Sequence, residues 1–305
     1  MKLTEVRMPL SLDQHLSRAL AEHPSAVISE YRLGVLVYRV FREQYRADFT
    51  GSKAASQERR YAFSASANSL LLYGLLSPVG GVAAGAAYTV LGRKPASVGE
   101  TVCAIDPFAY LSHLSAMETH GLTDRVSRQL YASSPAPKQW RQLAQGQMQR
   151  DLGGELDAYL GLAYPPLKRT RMSRVQGVPV EISHRTHLGA FRRVADSELR
   201  VATIGRTFID MLREPDLCGG IHHVLAVYKE HAERNLELIV AEVDQHGSPI
   251  DKVRAGYVLE EVCGLEHRSM ETWRRHASRG GSRRLVANKE YASTYSEKWM
   301  LSINA

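Results

Sequence analysis

Apolar residues recur at helical spacing along most of this chain and alternate only in short stretches. In residues 11–22 (SLDQHLSRALAE), Leu12, Leu16, Ala19 and Leu20 share one face, Ser11 is placed to cap it, and Pro24 lies just past its end. From Ile28 to Arg46 a second helix is predicted, with Leu33, Leu36, Val37, Val40 and Phe41 as its buried stripe. Arg32, Arg39, Arg42 and Arg46 fall on another side of it. DFTGSKAASQERR reads as a polar loop carrying Lys53, Arg59 and Arg60. SASANSLLLYGLLSP then predicts a helix with Ser64 or Ser66 as N-cap, Leu72, Leu75 and Leu76 as its apolar side, and Pro78 as its stop. After the small-residue run VGGVAAGAA, the β-prone segments Tyr88 to Leu91 and Thr101 to Ile105 flank a Gly/Pro turn. They predict a hairpin with Arg93 and Lys94 near its tip.

Helix, basic helix, helix and basic hairpin is the order of a winged helix-turn-helix. There a recognition helix enters the major groove and the wing holds the adjacent backbone. A small helical domain whose arginines form a solvated face fits the same pattern. A boundary is expected near Asp106-Pro107. Beyond it, a helix from about Phe108 to Gly121 sets His113, Met117 and His120 along one side, with no third ligand at metal-binding spacing. PAPKQW predicts a loop, with a helix from Trp140. Residues 167–194 alternate like strands and are dense in cations: Lys168, Arg169, Arg171, Arg174, Arg185, Arg192 and Arg193, with Glu181 the only acid. Such charge marks either a surface for a polyanion or partner, or a sheet edge guarded by charges. Helical stripes follow, at Ile221, Val224, Leu225 and Tyr228 and at Leu236, Ile239, Val240 and Val243. A second basic cluster holds Arg268, Arg274, Arg275, Arg279, Arg283 and Arg284. The fold class expected is α+β: an N-terminal winged helix-turn-helix domain (1–105) and a larger mixed α/β domain (106–305).

Composition changes this picture little. The 305 residues allow one large or two ordinary domains, and a hydrophobic content of 44% with 23% charged residues is that of a folded globule. A net charge of +7 permits a polyanionic partner without requiring one. Three cysteines without a CxxC pair argue against a disulfide scaffold and for a reducing compartment. With no apolar leader and no run of membrane-spanning length, a cytoplasmic location without membrane contact is expected.

The most chemical-looking stretch is RTFIDMLREPDLCGG, followed at once by His222 and His223. A cysteine nucleophile needs a base within hydrogen-bond reach, and His222 lies four residues beyond Cys218. Gly219-Gly220 separates the two, however, and adjacent histidines point in different directions on a helix. The chain also lacks GxxxxGK[ST], GxGxxG after a strand, HExxH and GxSxG. No catalytic residue, metal or cofactor is therefore expected. The structural reading is a helix ended at Glu214-Pro215, a turn at Gly219-Gly220, and an internal clamp between Arg206 and Asp210, four apart on the helix.

RVATIGRTFIDMLREPDLCGGIHHV resembles the signature of the AbiEi family, antitoxins of type IV toxin–antitoxin (abortive infection) systems also classed as transcriptional regulators. LSAMETHGLTDR (Leu114 to Arg125), RAGYVLE (Arg254 to Glu260), and GGSRRL with YSEKWMLSIN agree in order, so the resemblance spans roughly Ser64 to Ala305. It implies a protein that represses its own operon by binding inverted repeats in promoter DNA. It also implies that the larger domain counters a nucleotidyltransferase-like toxin without necessarily contacting it. Carried over by position, the recognition helix is about Ala65 to Leu76 and the wing about Tyr88 to Ile105. Asn68 and Ser69 would then face the groove, with Arg93 and Lys94 as backbone anchors. With the cations of the preceding helix and loop, the expected DNA-binding set is Arg39, Arg42, Arg46, Lys53, Arg59, Arg60, Asn68, Ser69, Arg93 and Lys94. A secondary nucleic-acid or partner surface would use Lys168, Arg169, Arg171, Arg174, Arg274, Arg275, Arg279, Arg283 and Arg284. HGSPIDKVRAGYVLEE has a Gly-Ser turn but no Asp-x-Asp, so the toxin half of such a pair is not expected. The alternatives are a module that neutralises a toxin by direct contact, and a Cys/His-dependent enzyme acting on nucleotides or nucleic acid.

Overall fold

The apolar stripes of the first two helices pack together. Leu16 and Leu20 of α1 (Leu12–Glu22) and Leu33 and Val37 of α2 (Glu30–Gln44) are buried in one cluster. A computed structural model describes residues 12–44, 53–278 and 283–305, with side chains described for all of these except 44 and 53–61. Over the described residues the chain is a mixed α/β protein, 50% helical and 14% strand.

Four local expectations before Asp106 change. Ile28, expected to open the second helix, lies in the strand β1 (Val27–Ser29), because the β-branched pair Val27-Ile28 finds a sheet partner. The expected polar loop is helical from Lys53, forming α3 (Lys53–Leu72). KAASQERR is polar but built of strong helix formers without Gly or Pro, and polarity alone does not make a loop. The helix ends four residues early: Gly74 turns the chain at φ 69°, and Leu76 opens the strand β2 (Leu76–Pro78). β2 and β3 (Ala87–Val90) are antiparallel, as are β1 and β3, in the order β1-β3-β2. The fourth change is at Thr101 to Ile105, expected as a hairpin strand. It belongs to the helix α4 (Val98–Ile105), where the Ser97 side chain accepts from Glu100 N and the Glu100 carboxylate accepts from Ser97 N. This reciprocal capping box outweighs the β-preference of Thr101 and Val102.

The chain continues through β4 (Tyr110–Leu111), α5 (His113–Thr119), β5 (Leu130–Pro135), α6 (Pro137–Leu152), α7 (Leu156–Gly161), β6 (Arg174–Val175) and β7 (Val178–Arg185). After these come β8 (Phe191–Arg193), β9 (Arg200–Ala202), α8 (Ile204–Arg213), α9 (Ile221–His231), α10 (Leu236–His246), α11 (Pro249–Tyr257) and α12 (Ser269–Arg274). Two short strands, β10 (Tyr295–Ser296) and β11 (Leu301–Ser302), close it.

Two compact units divide the chain, and neither is continuous in sequence: one takes residues up to Phe108 together with Pro135–Val178, the other Ala109–Ser134 and Pro179–Ala305. The expected boundary at Asp106-Pro107 thus falls beside a crossing, but α6 and α7, expected in the second domain, fold with the first unit. The reason is apolar: Trp140, Ala144, Leu152, Tyr159, Tyr164 and Leu167 complete the cluster built by α1, α2 and α3. Within the second unit, strands lie in the order β7-β5-β4-β9-β8, with β4 parallel to β9 and the β4–β5 and β8–β9 pairs antiparallel. Its main core joins α8, α9, α10 and α11 with Trp273 and Trp299. Among the described residues no helix is long and apolar enough to cross a membrane.

Candidate functional site

Of the eight cations expected to meet DNA, three make contacts inside the first unit. Arg39 Nη2 donates to the Asp151 carbonyl at 2.7 Å, and Arg42 pairs with Glu155, so the outer side of α2 is tied to α6 and to the turn before α7. Arg93 lies beyond β3 and not at a hairpin tip, and its guanidinium donates to the Ala21 carbonyl at the end of α1. Lys94 beside it is exposed. On α3, Ser64, Ala65, Asn68 and Leu72 are exposed at helical spacing, whereas Ser69 is half-buried. Lys53, Arg59 and Arg60 lie on the described backbone of α3, but their side chains, like all of Arg46, fall outside the described residues.

The second basic set divides in the same way. Lys168 pairs with Glu30 at 3.0 Å, and Arg169 donates to the Pro135 carbonyl at 3.1 Å. Arg274 pairs with Glu260, which also accepts from Lys298 and from the Trp299 indole. Arg283 donates to Ser278 Oγ, and Arg284 to the Lys289 carbonyl while its guanidinium sits 5.3 Å from the Tyr291 ring centroid. Arg171, Arg174 and Arg275 remain exposed, and Arg279 lies outside the described residues. Part of the described positive charge is thus paired within the protein, some of it with carbonyls and carboxylates distant in the chain, as at Arg39, Arg93 and Arg169.

The segment Arg206–Gly220 builds a buried polar row in the second unit. Helix α8 is buried from Gly205 to Leu212, yet Arg206, Asp210 and, one turn on at its end, Glu214 follow one another at i, i+4 and i+8. Arg206 Nε lies 2.9 Å from Asp210 Oδ1, with the two side chains only 5% and 1% exposed. Glu242 from α10 stands near Arg206, and burial raises the pKa of its carboxyl. Below this pair runs a relay. Ser133 Oγ donates to Ser112 Oγ at 2.9 Å, Ser112 Oγ and His113 Nδ1 share a hydrogen bond at 2.8 Å, and His113 Nε2 donates to Glu214 Oε2 at 2.9 Å. Arg185 closes the relay on the same Glu214 oxygen. Burial acts to raise the Glu214 pKa, but the hydrogen bonds and charges of His113 and Arg185 outweigh it and bring it to about 2. His113 is held at φ 51°, a left-handed backbone rare for a residue with a side chain.

A serine, a histidine and a glutamate in sequence suggest nucleophile chemistry. Ser112 and His113 are fully enclosed, however, and the relay serves to tie β4, β5 and β7 to the end of α8. The sequence showed the Arg206–Asp210 spacing. It did not show Ser112, His113, Ser133 and Arg185 as Glu214's partners, because these converge only through the sheet. A polar stripe on an otherwise apolar helix was the available signal.

Cys218 is fully buried, and that burial pushes its thiol pKa well above the usual value. His222 does not form a dyad with it. The neighbouring His223 instead takes a hydrogen bond with Thr123 Oγ1 at 2.9 Å, and Arg125 Nη1 donates to the Gly219 carbonyl at 2.9 Å. Gly219 and Gly220 turn the chain with φ of 86° and 91°. LSAMETHGLTDR and the Gly-Gly turn, read separately in the sequence, therefore meet. His120 donates to the Ala202 carbonyl. The Gly-Ser of HGSPID caps α11, where Ser248 and Asp251 form a reciprocal box and Asp251 receives Arg213 at 2.7 Å. Among the described residues no group of His, Cys, Asp and Glu is arranged to hold a metal ion.

No protein-family model matches the chain, and the search of characterised proteins found no match. Among solved structures, the chain is similar to a crystal structure of the RV2827C protein from Mycobacterium tuberculosis, at 14% identity and a TM-score of 0.48 over 97% of this chain and 92% of that one.

Proposed function

We propose that the protein is a DNA-binding antitoxin of a type IV toxin–antitoxin system, that it represses its own operon through an N-terminal winged helix-turn-helix, and that it has no enzymatic activity. One observation carries the DNA-binding part: the element order α1-β1-α2-α3-β2-β3 with the antiparallel sheet order β1-β3-β2. That is the layout in which a helix pair is backed by a small sheet and a β2–β3 loop projects as a wing. In this reading α3 is the recognition helix, presenting Ser64 and Asn68 on its exposed side. The wing is the loop 79–86, a revision of the placement at Tyr88 to Ile105. The resemblance to AbiEi antitoxins supplies the second unit's role, countering a nucleotidyltransferase-like toxin.

A gel-shift series with a fragment of the protein's own promoter tests the first part. A complex at low salt that weakens steeply with added salt supports it, and no complex at low salt overturns it. Growth rescue from the neighbouring toxin's expression tests the second part. Loss of rescue only when a stable toxin complex is abolished would favour direct neutralisation.

A further inference from the structure

The loop 79–86, VGGVAAGA, carries no charged residue, so a wing made of it alone has no side-chain cation for a phosphate and only backbone N–H groups to offer. The structure places a second segment of the same unit on this loop. Gln176 N donates to the Gly80 carbonyl at 3.0 Å. Gly81, at φ 86°, approaches so closely that a Cβ on it would stand 2.6 Å from the Arg174 carbonyl oxygen. Gln176 and Gly177 have φ of 50° and 83°, the two successive positive values of a tight turn that links β6 to β7. Met172 and Val175 anchor the segment inside, while Arg171, Ser173 and Arg174 face out. Arg174 Nη1 donates to the Gly177 carbonyl, which holds the guanidinium over the turn. From Leu167 to Pro179 there is no acid.

The geometry points to a composite wing, in which the uncharged β2–β3 loop gives the shape and the β6 turn docked on it supplies Arg171 and Arg174 as contacts to the phosphate backbone of duplex DNA. This deepens the proposed function and rests on its winged-helix reading. It also gives the end of Pro135–Val178, a stretch that the apolar cluster brings into the first unit, a role at the wing. Its cations differ from the neighbouring Lys168 and Arg169, which reach Glu30 and the Pro135 carbonyl, whereas Arg174 is held over its own turn by the Gly177 carbonyl.

The test is fluorescence anisotropy with a labelled promoter duplex across a salt series. It compares the full chain, the R171A/R174A variant and a charge-matched control, R192A/R193A, which alters the exposed edge strand β8. All three are first checked for the same circular dichroism spectrum. Two lost phosphate contacts should make the log–log salt slope shallower by up to about 1.8 and weaken binding at low salt, with the control unchanged. An unchanged slope and affinity in R171A/R174A, beside a wild type that binds, overturns the composite wing and leaves the DNA-binding reading standing. Equal weakening in the control also overturns it. A wild type that does not bind removes the reading beneath it.

Discussion

The Arg206–Asp210 pair allows a quantitative test of what α8 does. At 2.9 Å, with side chains 5% and 1% exposed, the attraction at an effective dielectric constant of about 20 is on the order of 6 kcal/mol. Removing the two groups from water costs several kcal/mol per ion, so the intact pair is close to neutral against apolar side chains of similar size. Removing one partner is another matter, because it strands a buried charge. Arg206→Met should therefore destabilise the second unit by about 3–5 kcal/mol, and Asp210→Leu by a similar amount. The double variant should lose far less than the sum, with a coupling energy of at least about 2 kcal/mol. The three tryptophans make the assay selective. Trp140 lies in the first unit, and Trp273 and Trp299 in the core of the second. Urea unfolding followed by fluorescence in a Trp140→Phe background thus reports the second unit. A single-variant loss below about 1 kcal/mol, or strict additivity, refutes a buried pair acting as the clamp of this helix.

Other outcomes follow from the same geometry. Glu214 ionises at about 2 in the fold, below its ordinary 4.5. A depressed carboxyl pKa stabilises above the ordinary value and loses that contribution as pH falls through the folded one. The urea midpoint of wild type should therefore exceed that of Glu214→Gln at pH 6, and the gap should close towards pH 2; a constant gap would contradict this. A Cβ on Gly205 would stand 2.2 Å from the Leu238 carbonyl oxygen of α10, so Gly205→Ala should lower stability by about 1–3 kcal/mol. An unchanged midpoint would show that α8 and α10 do not pack so closely. Cys218→Ala should keep full neutralisation of the toxin in a growth assay, since the thiol is enclosed and unpaired with a histidine; its loss in a stable variant would restore the enzyme reading.

How far the sequence revealed this arrangement depended on the distance over which each interaction acts. The stripes of α1 and α2, the end of α8 before Pro215 and the Arg206–Asp210 spacing all arise within a few turns, and they were legible. Ile28 and Leu76 went to strands because their partners in β3 lie far along the chain, and tertiary pairing overrides helical spacing. At Thr101 to Ile105 the β-branched residues point to a strand, and the capping box of Ser97 with Glu100 decides for a helix. The basic runs misled for a further reason. A cluster of arginines looks the same in sequence whether it faces solvent or a carbonyl such as that of Asp151 or Pro135. Only the fold shows that Arg39 and Arg169 reach carbonyls distant in the chain, while Arg171 and Arg174 face out, with Arg174 held by the nearby Gly177 carbonyl. The return of Pro135–Val178 to the first unit had no local signature at all.

The central claim is sequence-specific DNA binding by the first unit, and competition binding tests it most directly. The full chain would be held on a labelled promoter duplex with its inverted repeats and challenged with unlabelled duplex, either intact or with the repeats scrambled. The account predicts that intact repeats displace the label at concentrations at least about a thousandfold below the scrambled duplex at physiological salt. Equal displacement by both duplexes, or no complex to displace, would contradict it.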